Sequence, residues 1–100
     1  MLDVQQSDEF KAWFAKLKDR QARAIIFKRI DRLMLGNAGD AKPVGEGVSE
    51  LRINHGPGYR IYFCRIGATV LLLLIGGDKG SQTKDIARAK ALASSAKDQP

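Results

Sequence analysis

Cysteine and histidine are nearly missing: Cys64 and His55 each stand alone in a chain of 100 residues. One cysteine excludes an internal disulfide, and one thiol with one imidazole cannot make a zinc site within the chain. No metal and no cofactor is therefore expected. Cys64 falls inside a predicted strand, where a lone thiol serves as a small buried hydrophobe rather than a nucleophile. Long apolar runs are missing too. The longest, residues 70–75, is far short of the roughly 20 residues that cross a bilayer, so no membrane partner is expected. Residues 1–6 lack the basic start and apolar stretch of a secretory signal, which makes the cytoplasm the expected compartment. There is no internal repeat, no low-complexity block and no G-x-x-x-x-G-K-[ST] phosphate loop, although residues 36–47 hold four glycines.

What is present is positive charge and enough apolar material for one core. Lysine and arginine number 17 against 11 acidic residues, and 44% of the chain is hydrophobic. The length fits one domain, assigned to residues 1–96 with 97–100 as a frayed tail. A basic surplus favours a nucleic acid, an acidic protein or a membrane surface as partner and does not choose among them.

Leu2 and Val4 alternate with Asp3 and Gln5, as in a short strand. Ser7 is placed to cap a helix whose first turn carries Asp8 and Glu9, with Phe10, Trp13, Phe14 and Leu17 at the spacing of one buried face. Asp19 caps a second helix that runs to about Leu35, with Ala22, Ile26, Ile30 and Leu33 inward, Phe27 and Met34 widening the stripe, and Gly36 as its stop. The seven lysines and arginines between positions 16 and 32 dot the outer faces of these helices as solvated charges. Residues 36–47 read as a plain connection.

Three strands follow as a meander. In the first, Leu51 and Ile53 share one face, and Glu50, Arg52 and Asn54 the other. In the second, Tyr59, Ile61 and Phe63 oppose Arg60, Tyr62 and Cys64. Matching the faces across the hairpin at His55-Gly56-Pro57-Gly58 sets Arg52 directly across from Arg60. Like charges so opposed cost from a few tenths to roughly 1 kcal/mol, which suits a sheet face awaiting an anion. Ile66-Gly67-Ala68-Thr69 reads as a two-residue type II′ turn. That register sets Cys64 against Leu71, Tyr62 against Leu73 and Arg60 against Ile75. The third strand is apolar on both parities, belongs inside the sheet and ends at Gly76-Gly77. A last helix opens at Ser81 or Thr83 and runs to about Ser95, with Ile86, Ala89 and Ala93 inward.

Lys79 falls towards the face of Arg52 and Arg60, so three cations converge where one or two phosphates can rest. His55, at the adjacent turn, can exchange a proton near neutral pH. From spacing alone the plainer reading stands ahead: Arg52 pairs with Glu50 at the surface, Lys79 is a solvated loop charge, and His55 simply tolerates a turn.

The segments Glu50-Leu51-Arg52-Ile53, Gly58-Tyr59-Arg60-Ile61-Tyr62-Phe63 and Leu74-Ile75-Gly76-Gly77-Asp78-Lys79-Gly80 follow in order over nearly the whole chain. In these the sequence resembles the RelE/ParE superfamily of toxins, and within it the HigB-like addiction module killer branch. The resemblance implies an α+β fold of order β-α-α-β-β-β-α, a mostly antiparallel twisted sheet on an N-terminal helical hairpin with a short C-terminal helix. It implies a toxin of a bacterial type II toxin–antitoxin system that cuts mRNA in the ribosomal A site without a metal. The implied partners are that mRNA and a cognate antitoxin, expected to be a helix-turn-helix protein in an oligomeric complex.

Carried onto this chain, Arg60 matches the arginine that contacts the phosphate at the cut. Arg52 falls at a second basic position and Lys79 near a third. His55 is the candidate acid or base, and Tyr59, Tyr62 and Lys84 are expected to contact RNA. The chain departs from the pattern in the last helix, where Asp85 or Ile86 falls about where a tyrosine is common, and in a second strand reduced to one arginine. These departures leave open a ParE-like inhibitor of DNA gyrase that performs no chemistry. The endonuclease reading fails if Arg52 and Arg60 lie on opposite faces of the sheet, or if a carboxylate seals either of them inside.

Overall fold

The computed structural model describes residues 1–97. It is an α+β fold in which one five-stranded sheet carries helices on both faces. Strand β1 (Asp3–Gln6) leads into helices α1 (Asp8–Lys16) and α2 (Arg20–Met34). Strands β2 (Ala41–Gly45), β3 (Val48–Ile53), β4 (Tyr59–Ile66) and β5 (Val70–Asp78) follow, and a 3₁₀ turn at Lys79–Ser81 opens helix α3 (Gln82–Lys97). The sheet order is β1-β5-β4-β3-β2, antiparallel throughout except for the parallel pair β1 and β5.

The helix starts are set by the residues expected to set them. Ser7 Oγ accepts from the Phe10 N–H at 3.0 Å, and the Asp19 carboxylate accepts from the Ala22 N–H at 3.1 Å, so each first turn has a donor satisfied. Phe10, Ile26 and Leu33 bury their side chains against Leu51, Ile53, Ile61, Phe63, Leu71 and Leu73, which form the larger core. The two helices are not a self-contained hairpin. Each lies on the sheet, and they are joined at their shared corner, where Arg23 donates to the Phe14 and Leu17 carbonyls and stacks over the Phe14 ring. Phe27 does not widen the buried stripe: it is 70% exposed.

The opposite face of the sheet carries a smaller core, in which Val48, Tyr62, Cys64 and Leu74 meet Ala89 and Ala93 of α3. Small residues on the helix let it approach closely. β5 lies between β1 and β4 and supplies side chains to both cores, which accounts for its unbroken apolar run.

Four further expectations need correction. The connection at 36–47 contains an extra strand, β2, at the sheet edge. Its Pro43 is tolerated there because an edge strand pairs on one side only. The turn into β5 holds three residues rather than two, so Ile66 pairs with Val70, and Leu74 is skipped between the pairs Tyr62–Ile75 and Phe63–Leu73. Cys64 therefore faces Leu72, Tyr62 faces Ile75 and Arg60 faces Gly77. Finally, β5 does not stop at its glycines but continues to Asp78, and Lys97 is helical; the rest of the expected tail, 98–100, lies outside the described residues.

The two strand glycines let helices close on the sheet. A Cβ at Gly76 would collide with the Trp13 ring of α1, and one at Gly77 with the Asp85 carboxylate of α3. Gly76→Ala is expected to destabilise the fold by about 1–3 kcal/mol, the usual cost of forcing a methyl into a filled interior. The urea midpoint would show it, with the slope of the transition unchanged.

Candidate functional site

Past the N-terminus of α3 the sheet face is left open. The residues that line this cleft are Asp40, Arg52, Asn54, Gly56, Pro57, Gly58, Arg60 and Lys79, around a volume of about 380 Å³. Two strands and two connections meet here. Arg52 of β3 and Arg60 of β4 are a direct cross-strand pair, as expected from the sequence. Lys79 enters from the 3₁₀ turn, and a Cβ placed on Gly58 would lie 3.4 Å from Arg60 Nη1 and 3.5 Å from Lys79 Cβ. Gly58 is thus the thin wall between the two cations.

Beneath the arginines lies Glu50, whose side chain is 0% exposed. It accepts from Arg52 Nε at 3.0 Å, Tyr62 Oη at 3.0 Å and Gln82 Nε2 at 2.8 Å. Arg60 Nε is 3.8 Å from the same Glu50 oxygen that Arg52 uses. It is buried and has no hydrogen-bond partner among the described residues, so its pairing with Glu50 is electrostatic. Arg60 Nη1 donates to the Gly58 and Tyr59 carbonyls, both at 3.2 Å. The carboxylate does not seal the arginines in: the Arg52 side chain is 32% exposed and that of Arg60 12%. Arg52 and Glu50 do pair, as the plainer reading held, but beneath the surface rather than on it.

Burial opposes ionisation of Glu50, while the hydrogen bonds from Arg52, Gln82 and Tyr62 favour it and prevail, holding the carboxyl below its ordinary value. Burial, and then the neighbouring carboxylate, push the Tyr62 phenol up, so it stays a donor. Breaking a buried pair of this kind by removing one partner costs about 3–5 kcal/mol, because the other charge is stranded. Arg52, Arg60 and Lys79 against Glu50 and Asp40 leave three positive groups facing two negative ones. The cleft therefore carries a small positive surplus.

The remaining candidates go elsewhere. His55 Nε2 lies 3.1 Å from Asp19 Oδ2, so its ring is turned to the start of α2 and is not part of the cleft wall. Tyr59 packs edge-on to Trp13 in the larger core, on the face opposite Arg60. Tyr62 is fully buried, so its ring offers no stacking face to a base. Lys84 borders a different recess with Glu9, Trp13 and Asp85.

The sequence reading missed Gln82, Asp40 and Arg29. Arg29 counted as a solvated charge, yet its guanidinium donates to the carbonyls of Arg52, Ala38 and Asp40 at 2.7, 3.3 and 3.2 Å. It thereby ties the end of β3 and the cleft's Asp40 edge to α2. One signal was available for Glu50, since the register that opposes Arg52 to Arg60 also opposes Glu50 to Tyr62, a carboxylate to a phenol.

Among known proteins, the chain is 46% identical over 92 residues to an uncharacterized protein of Haemophilus influenzae, an alignment that covers 92% of this chain and 93% of the relative. No family model matches it.

A depressed carboxyl contributes stability that is present above its unfolded-state pKa and lost as pH falls through its folded-state value. For Glu50, whose ordinary value is 4.5, the loss falls below that pH. Melting temperature should be level from neutrality to about pH 5 and then drop. Glu50→Gln should shrink the drop without abolishing it, because Asp19 and Glu9 are also held low, by the Ala22 amide and by Arg88 respectively.

Proposed function

Taking as premise that the chain belongs to the same family as the uncharacterized Haemophilus influenzae protein, we propose that it is the toxin of a bacterial type II toxin–antitoxin pair and acts on mRNA. The observation that carries the proposal is the convergence of Arg52, Arg60 and Lys79 on one open cleft. The proposed topology is RelE-like, with β2 as an added edge strand. Its support is the chain order of a strand, two helices, antiparallel strands and a final helix, together with the three segments that resemble that superfamily.

The reaction is attack by a ribose 2′-hydroxyl on its own 3′-phosphate. A bond from O2′ to phosphorus forms and the bond from phosphorus to the next O5′ breaks, leaving a cyclic phosphate and a free 5′-hydroxyl. The 2′ proton goes to a base, the leaving oxygen takes a proton, and the cations stabilise the charge of the phosphorane. Arg52, Arg60 and Lys79 fill the last role. His55, paired with Asp19, stands outside it. Asp40 is the carboxylate on the cleft wall and the residue offered there as base. The target is message in the ribosomal A site, and the partner that neutralises the toxin is a cognate helix-turn-helix antitoxin in an oligomeric complex.

Arg60→Ala should abolish growth arrest on induction without antitoxin and lower cutting by roughly 100-fold or more, in line with loss of one group that stabilises developing charge. Circular dichroism should show the fold retained. Primer extension should map cuts within translated messages in arrested wild-type cells; arrest with every message intact refutes the endonuclease reading. The pairing of His55 with Asp19 favours a second reading, a ParE-like inhibitor of DNA gyrase that needs no proton transfer. Under that reading purified protein blocks supercoiling, and Arg60→Ala blocks it nearly as well.

A further inference from the structure

We infer that Glu50 is the positioning residue of the cleft, a carboxylate clamped from behind by Tyr62 and Gln82 so that it aims the Arg52 and Arg60 guanidinium groups at one anion. The inference rests on the phosphate-binding reading of the cleft and assigns what sets its geometry.

The two oxygens of Glu50 have separate tasks. Oε2 takes the Tyr62 hydroxyl at 3.0 Å and the Gln82 amide at 2.8 Å. One donor comes from β4 in the sheet and the other from the first residue of α3. Because a carboxylate is planar, two donors fixed on one oxygen fix the direction of the other. Oε1 is thereby turned to Arg52 Nε at 3.0 Å and Arg60 Nε at 3.8 Å. Held at Nε, near the base of the guanidinium, Arg52 keeps its outer nitrogens for the cleft, and Arg60, whose Nη1 is taken by backbone carbonyls, keeps Nη2. Arg60 is steadied further by the Gly58 and Tyr59 carbonyls. Gln82 and Tyr62 are not part of the cleft wall, so they act only through Glu50. Gln82 also links the start of α3 to the site, which makes the docking of that helix a condition of arginine alignment.

A bare counter-charge and an aiming device predict opposite signs. Glu50 is negative and lies beneath an anion site, so by Coulomb attraction alone its removal makes the cleft more positive and anions bind more tightly. If its task is orientation, its removal frees two long side chains to wander and binding weakens, because the ordering cost then falls on the ligand.

The test measures the affinity of a short labelled single-stranded RNA at one fixed salt concentration, since such affinities shift steeply with salt. Glu50→Ala should bind about tenfold more weakly than wild type although its cleft is one charge more positive, as expected when preorganisation is lost. Gln82→Leu, which leaves the cleft charge unchanged, should weaken binding in the same direction. It keeps the inference open to refutation if Glu50→Ala does not fold. In an Arg52→Ala, Arg60→Ala background Gln82→Leu should have no further effect, whereas a merely structural role predicts the same loss in both backgrounds. RNA binding that depends on Arg60 but is unchanged or tighter in Glu50→Ala, or unmoved by Gln82→Leu, overturns the role of Glu50 alone. Wild-type protein that does not bind RNA, or binds it equally well as Arg60→Ala, overturns the phosphate reading and this inference with it.

Discussion

A negative charge buried under two positive ones is the constraint around which this protein is arranged. Glu50 is costly to desolvate alone, and two arginines opposed on a sheet repel each other. Each difficulty is the remedy for the other. The register Arg52–Arg60 and Glu50–Tyr62 places the carboxylate one step in from the arginine pair, with a phenol across from it and the first residue of α3 within reach. The sheet, the last helix and the open cleft thus share one electrostatic centre.

That centre needs the sheet face to be half covered. Over the inner half, α3 brings Ala89 and Ala93 down onto Val48, Tyr62, Cys64 and Leu74 and keeps water from Glu50. Over the outer half no helix lies among the described residues, and the arginines reach solvent. The boundary is set by where α3 begins. The Asp78 carboxylate receives the Gly80 and Ser81 amides, and Ser81 in turn donates to the buried Asp85. Lys79 is caught in the same turn and so delivered to the rim of the cleft. Gly77 lies under this corner, and since it is also the partner of Arg60 in β5, no side chain from that strand competes for the space.

Much of this was legible because it is local or obeys a period of two. The caps at Ser7 and Asp19, the inward residues of α3, the two-faced β5 and the pair Arg52–Arg60 all follow from composition at fixed offsets. What was lost depends on one-residue counts and on depth. The turn after Ile66 holds one residue more than the favoured hairpin loop, and a bulge at Leu74 adds another shift; no alternation pattern marks either one. The strand β2 was hidden by Pro43 and the glycines around it. Yet Gly45-Glu46-Gly47 does hold a two-residue turn, with φ of 54° at Glu46 and 79° at Gly47 as such hairpins require. Phe27 and Arg29 were each assigned by residue type. In fact the aromatic ring faces solvent, while the arginine turns in to hold three carbonyls.

The candidate site divides along the same line. Arginines on neighbouring strands are fixed by register, so their meeting could be read from the sequence. His55 lies in the hairpin loop, where a residue's face depends on loop geometry, and it turns to Asp19; Tyr59 lies on the face opposite Arg60, as alternation places it, and that takes it out of the cleft. The structure separates two chemical tasks that the sequence pattern unites. The cleft concentrates positive charge on rigid strands, braced from beneath, and that suits stabilising an anion whose charge grows during reaction. The imidazole of His55 is instead paired with Asp19, the carboxylate that caps α2. On the proposed endonuclease reading these cations serve a phosphodiester in reaction, whereas on the gyrase reading Arg60 is nearly dispensable, so the two readings part at the cleft itself as well as at proton transfer.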